Sequence, residues 1–183
     1  MIDEILAALK EYLGIDESDT SADDVLKDII TYAEGYIFSS YGVAIFDREI
    51  TDTITPNYGY AAIYTANGNI REVTYFETNE QVVQPTMLSW KNNKILLKDP
   101  TIMLVSVYPV NVTYKIGYET INDIPKGLLN SLLVISKKIW SDATKDTDTM
   151  AAMAIDIKES VRPIDSIPTI AKETLEAYKI YRL

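Results

Sequence analysis

Apolar positions in the first 42 residues recur three and four apart. Ile2, Ile5, Leu6, Leu9, Tyr12 and Leu13 trace one stripe, which predicts a short helix showing Asp3, Glu4, Lys10 and Glu11 outward. Gly14 follows as its stop. After the polar run from Asp16 to Ser21, a second stripe of Ala22, Val25, Leu26, Ile29, Ala33, Tyr36 and Ile37 predicts a longer helix that ends at Gly42. Ser21 with Asp24 three residues on has the spacing of a variant capping box for it. Asp23, Asp24, Asp28 and Glu34 then fall off the buried stripe.

From residue 43 to about 118 the period changes to short extended runs rich in Val, Ile, Thr and Tyr and broken by Asn, Gly and Pro, which predicts strands. Asn67-Gly68 reads as a two-residue hairpin turn between residues 61–65 and 70–76. Asn92-Asn93 reads as a second turn, from 87–90 into 94–97. A third pair is 102–108 with 110–116, with Pro109 at the corner because proline cannot donate to a ladder. Residues 47–58 fit either strands or an exposed loop.

Helical spacing returns after Tyr118. Asp123 and Pro125 are placed for a helix start, and Leu128, Leu129, Leu132, Leu133, Ser136, Ile139 and Trp140 lie on one face. Residues 141–150 read as a polar loop, residues 150–157 fit a short helix or a loop, and Ser166 with Pro168 opens a last helix. There Ile167, Ala171, Leu175, Tyr178 and Arg182 share a side. The fold class is α+β: a small helical bundle of two N-terminal helices, a Leu-rich helix and a C-terminal helix, with an antiparallel β meander inserted centrally. At 183 residues we expect one domain, with N-terminal helices over 1–42, the β section over 43–118 and C-terminal helices over 122–183.

Composition narrows the chemistry. There is no His and no Cys, which removes imidazole bases, thiolate nucleophiles, disulfides and metal sites built on those ligands. The net charge of −10 is uneven: residues 1–50 hold 12 acidic against 3 basic side chains, while residues 51–183 hold 15 against 14. Such acidity repels phosphate backbones rather than collecting them. The acidic connector is no calcium loop, since counting from Asp16 puts Ser21 where glycine is needed and Lys27 where glutamate is needed. Nucleotide-binding glycine motifs and the nucleophile elbow are missing, and Ser136 of Ser136-Lys137-Lys138 falls on a core face. We therefore expect no enzyme, no cofactor and no metal. Residues 1–13 lack the basic and apolar regions of an export signal, and no run of about 18 apolar residues exists to span a membrane. Thirteen tyrosines suit either packing or protein interfaces.

Several segments share a pattern. They are Leu9 to Asp19, Ile29 to Tyr36 running into Ser39-Ser40-Tyr41-Gly42, Val112-Thr113-Tyr114-Lys115-Ile116-Gly117-Tyr118, the Ile124-Pro125 start of a Leu-rich helix, and a tail with Ile167-Pro168, Leu175 and Tyr181-Arg182. The order resembles the head-tail connector (head-completion or adaptor) proteins of tailed bacteriophages and prophages. The β section here is longer than in compact members. That resemblance implies a structural virion protein made in the host cytoplasm: a homo-oligomeric ring, usually of twelve subunits, below the portal protein. The ring extends the DNA channel and receives the next neck or tail-completion protein, and DNA only passes through. On this reading Asp16, Glu17, Asp19, Asp23, Asp24 and Asp28 are expected to line the channel, where negative charge keeps DNA from sticking. Leu175, Tyr178, Tyr181 and Arg182 are expected to dock on the portal. The alternative is an acidic DNA mimic or regulatory protein-binding module.

Overall fold

In a computed structural model, residues 1–56, 62–79, 81–99, 108–146 and 167–179 are described, the side chains of 145 and 146 excepted. The chain divides into two compact units, one of Met1–Tyr41 with Glu119–Tyr178, the other centred on Gly42–Tyr118. The described residues hold helices and antiparallel strands, the mixed class expected from the two periodicities.

The first unit is helical. Helix α1 (Ile2–Leu13) buries Ile5, Leu6 and Leu9, and ends where Gly14 turns left-handed at φ 73°. Gly14 N–H donates to Glu11 O and Ile15 N–H to Lys10 O, so the last carbonyls are satisfied. Helix α2 (Asp23–Tyr41) lies against α1, α3 (Lys126–Asp146) and α4 (Thr169–Tyr178). Contact with three helices covers more than one stripe, which is why Glu34, expected outside, is buried at 2% exposure. Val25 and Ile29 of α2 pack with Ala143, Ile139 and Trp140 of α3. Helix α3 runs on through Asp146, so residues 141–146 are helical and not the expected polar loop; Ala143 is the apolar anchor that extends it. Residues 147–166, with the ambiguous 150–157 segment and Ser166, lie outside the described residues.

The second unit contains two antiparallel sheets. Strands β1 (Arg48–Ile54), β7 (Val110–Ile116), β3 (Ile70–Thr78) and β4 (Gln81–Val82) form one in that order. Strands β2 (Ala62–Tyr64), β6 (Lys94–Leu97) and β5 (Leu88–Lys91) form the other. The region left open at 47–58 is thus a strand over its first part. The β5–β6 hairpin turns at Asn92-Asn93 as expected, with Asn92 at φ 55°. The Asn67-Gly68 hairpin does not form. β2 pairs with β6 and β3 with β7, so the chain crosses between sheets there. That crossing is held by Thr65 Oγ1, which donates to Asn67 O at 2.5 Å, and by Ile70 N–H, which donates to Asn92 O at 2.9 Å. Residues 102–107 of the third expected hairpin lie outside the described residues, and both edges of β7 are taken by β1 and β3.

The segment Val112 to Tyr118 is explained by this sheet. Val112, Tyr114 and Ile116 alternate into the core, and the fully buried Tyr114 hydroxyl donates to Asp52 Oδ2 at 2.6 Å. Gly117 stands at φ 85°, and a Cβ on it would lie 2.2 Å from Phe46 O. Only glycine fits there. Tyr118 then bridges back, its N–H donating to Ile45 O at 3.1 Å and its hydroxyl accepting from Asn69 Nδ2 at 3.0 Å.

Candidate functional site

The candidate site is the acidic connector between α1 and α2 and its borders. Its organiser is a residue that sequence spacing placed outside. Lys10 is only 3% exposed. Its ammonium donates to Glu17 O at 3.2 Å and Asp19 O at 2.8 Å, and meets Asp23 Oδ1 at 2.5 Å. A buried ammonium is tolerated only when its donors are satisfied, and here three oxygens are in reach. Lys10 lies next to Leu9 at the margin of the α1 stripe, and its acceptors come from a loop whose course no periodicity reports.

The carboxylates above it have distinct tasks. Asp16 Oδ1 accepts from Ser18 N–H at 2.8 Å and Ser18 Oγ at 2.6 Å. Asp19 Oδ1 repeats the arrangement with Ser21 at 3.0 Å and 2.6 Å. These side-chain and backbone hydrogen bonds hold both carboxyls below the ordinary aspartate range. They also replace the capping box expected of Ser21, whose hydroxyl is given to Asp19, and α2 begins at Asp23. Asp23, expected among the channel-lining acids, is ion-paired to Lys10 and keeps 24% of its side-chain surface exposed. Asp16, Glu17, Asp19 and Asp24 are exposed, and Asp28 is half-buried. Next to them Asp3 pairs with Lys27 at 2.7 Å, an ion pair that lowers the Asp3 pKa and raises that of Lys27. An open groove lined by Ala7, Ala8, Lys10, Glu11, Ile15 and Glu17 runs beside the connector.

The expected docking residues divide. Leu175 is fully buried in α4, which packs on α3 and α2, so within this chain it serves the core. Tyr178 is half-buried beside Gly127 of α3. Tyr181 and Arg182 lie outside the described residues. Ile170, on α4, is 62% exposed and was not singled out from the sequence.

Among the described residues no group of three carboxylates gathers as a metal site, and no helix is long and apolar enough to cross a membrane. Ser136 is buried, while Lys137 Nζ lies over the Tyr12 ring at 4.9 Å and Lys138 pairs with Asp142, so both neighbouring amines are engaged elsewhere.

No protein-family model matches the sequence, and no curated protein sequence matches it. Solved structures do. A chain of the virion of a native gene transfer agent particle superposes with a TM-score of 0.65 at 14% identity, over 100% of this chain and 90% of that one. A chain of the neck of the native particle, determined with C12 symmetry, gives 0.64 at 12% identity over 97% and 89%. One from the neck of the empty particle, with C6 symmetry, gives 0.61 at 14% identity over 89% and 92%. The chain thus shares its fold with chains from the neck and virion of gene transfer agent particles, and these neighbours agree with the resemblance to head-tail connectors.

Proposed function

We propose that this protein is a structural component of the neck of a tailed phage, prophage or related particle, assembling as a ring that docks on the portal and continues the DNA channel. The observation that carries the reading is the extent of the shared fold: 97% of this chain aligns with a chain from a neck determined with C12 symmetry. The site chemistry is compatible, because its charged groups serve loop geometry and surface charge rather than an arrangement of acid, base and nucleophile. Within this reading Asp16, Asp19 and Asp24 face the lumen, with Asp28 at their margin. Fixed negative charge there leaves DNA hydrated and free to slide. Tyr178 and the residues after it, Tyr181 and Arg182, reach the portal.

The test is imaging of the purified chain at high concentration, alone and mixed with its cognate portal ring. We expect rings of six- or twelvefold symmetry seated coaxially on the portal. A chain that remains monomeric in both conditions overturns the reading.

A further inference from the structure

The three-stranded sheet presents a face that its own packing does not use. Register places Ala62 opposite Leu96, Tyr64 opposite Lys94, Ser89 opposite Leu96 and Lys91 opposite Lys94, so these six side chains share one side. Ile63, Leu88, Ile95 and Leu97 alternate to the other side and are buried. On the first side Tyr64 is 46% and Leu96 37% exposed, a pair of large apolar side chains flanked by two amines. Lys94 Nζ lies 5.6 Å from the Tyr64 ring centroid, which orients the ring and the charge together. A cationic apolar surface stands out on a chain of net charge −10.

The groove beside α1 has the inverse pattern. Ala7, Ala8 and Ile15 supply its apolar lining, Glu11 and Glu17 its negative charge, and the Lys10 ammonium is matched by Asp23. A closed ring requires each subunit to carry two different, mutually complementary patches, because its interfaces are head to tail. We propose that the Tyr64, Lys91, Lys94 and Leu96 face of one copy docks on the Ala7, Glu11, Ile15 and Glu17 groove of the next copy. This rests on the ring reading above and names the surfaces that would build it. Tyr64 and Leu96 meet the apolar lining, and Lys91 and Lys94 meet Glu11 and Glu17, which sets orientation and rejects like-charged approach.

Charge reversal tests it. Lys91→Glu with Lys94→Glu, and separately Glu11→Lys with Glu17→Lys, alter only exposed or half-exposed side chains, and circular dichroism checks that each variant keeps its fold. Assembly is followed by sedimentation velocity across protein concentration and salt. Each double variant should weaken self-association by more than about tenfold, and the mixture of the two, in which every contact is again between opposite charges, should restore it. Wild-type oligomers that neither variant disturbs overturn this interface and leave the ring reading standing. A wild-type chain that is monomeric throughout, alone and with the portal, overturns both. If the lysine reversal instead abolishes retention of double-stranded DNA and leaves assembly intact, the face serves nucleic acid and the proposal fails.

Discussion

Replacing Lys10 by Met keeps the length and apolar stem of the side chain and removes only the ammonium. Three oxygens then lose their donor: the carbonyls of Glu17 and Asp19, bound at 3.2 and 2.8 Å, and the Asp23 carboxylate at 2.5 Å. Removing one partner of a fully buried ion pair costs about 3–5 kcal/mol, because the other charge stays buried without compensation. The Asp23 side chain keeps 24% of its surface in water, and the connector can open to hydrate its carbonyls, so solvent takes up part of that cost. With that discount we expect a loss of about 2–3 kcal/mol, or about 4–12 °C in Tm for a chain of this size. The assay is urea unfolding of wild type, Lys10→Met, Asp23→Asn and the double variant, with amide exchange at Ser18 and Ser21 as the local readout. The double variant should cost clearly less than the sum of the singles, because the pair is removed together. The exchange should accelerate in Lys10→Met, since the Asp16 and Asp19 turns lose the anchor beneath them. A Lys10→Met protein within about 0.5 kcal/mol of wild type, the range of an ordinary surface change, would refute the clamp.

Gly117→Ala should be among the most damaging single-methyl additions, since φ 85° disfavours an L side chain and the new Cβ would lie 2.2 Å from Phe46 O. Left-handed backbone alone costs about 1–2 kcal/mol, and moving the Phe46 carbonyl adds to it, so chemical unfolding should show at least about 3 kcal/mol. Tyr114 predicts an alkaline step: burial first, then the hydrogen bond to Asp52, push its pKa from 10.0 to about 12. A raised folded-state pKa means stability that is complete below pH 10 and is lost as pH climbs toward 12, so the difference between wild type and Tyr114→Phe should shrink across that window. A constant difference from pH 9 to 12 would remove the assignment. On α4, Leu175→Ala should destabilise by about 2–5 kcal/mol as a buried truncation, whereas Ile170→Glu, at 62% exposure, should leave the melting temperature nearly unchanged. Equal effects at the two positions would contradict the observed α4 packing.

The helices were legible because their information is local. A stripe at 3.6 spacing with a glycine after it located α1 and α2 to within a residue or two, and the Gly14 and Gly42 stops both adopt positive φ. The strands were legible as strands and less so as pairs. Asn92-Asn93 succeeded because β5 takes one edge of β6 and β2 the other, so the local pairing and the long-range one do not compete. Asn67-Gly68 failed because β7, more than 40 residues further on, claims β3, and β6 claims β2. Turn chemistry reports only what the local chain allows. Residues 141–146 failed in the opposite sense, since a polar composition hid Ala143, which suffices to keep the last turns of α3 against α2. Of the site, the acids were visible as a cluster, but Lys10 and the neutralised Asp23 were not, because burying an amine depends on carbonyls seven and nine residues away.

That buried amine decides what the acidic connector can do. Lys10 takes backbone carbonyls of Glu17 and Asp19 rather than their carboxylates, so the loop's peptide groups bind inward while the side chains of both residues stay exposed. Asp16 and Asp19 brace the same loop, and the hydrogen bonds from Ser18 and Ser21 that hold these carboxylates in place also lower their pKa. The negative surface is therefore held at fixed positions rather than spread over a mobile segment. At physiological ionic strength charges act over about 8 Å, so a wandering carboxylate contributes an averaged and screened field while a fixed one retains both distance and direction. The two tasks proposed for the connector, complementary docking between subunits and repulsion of a passing duplex, both need direction. Releasing the loop at Lys10 should thus weaken whichever of the two the connector serves, even though no carboxylate is removed and the net charge becomes more negative.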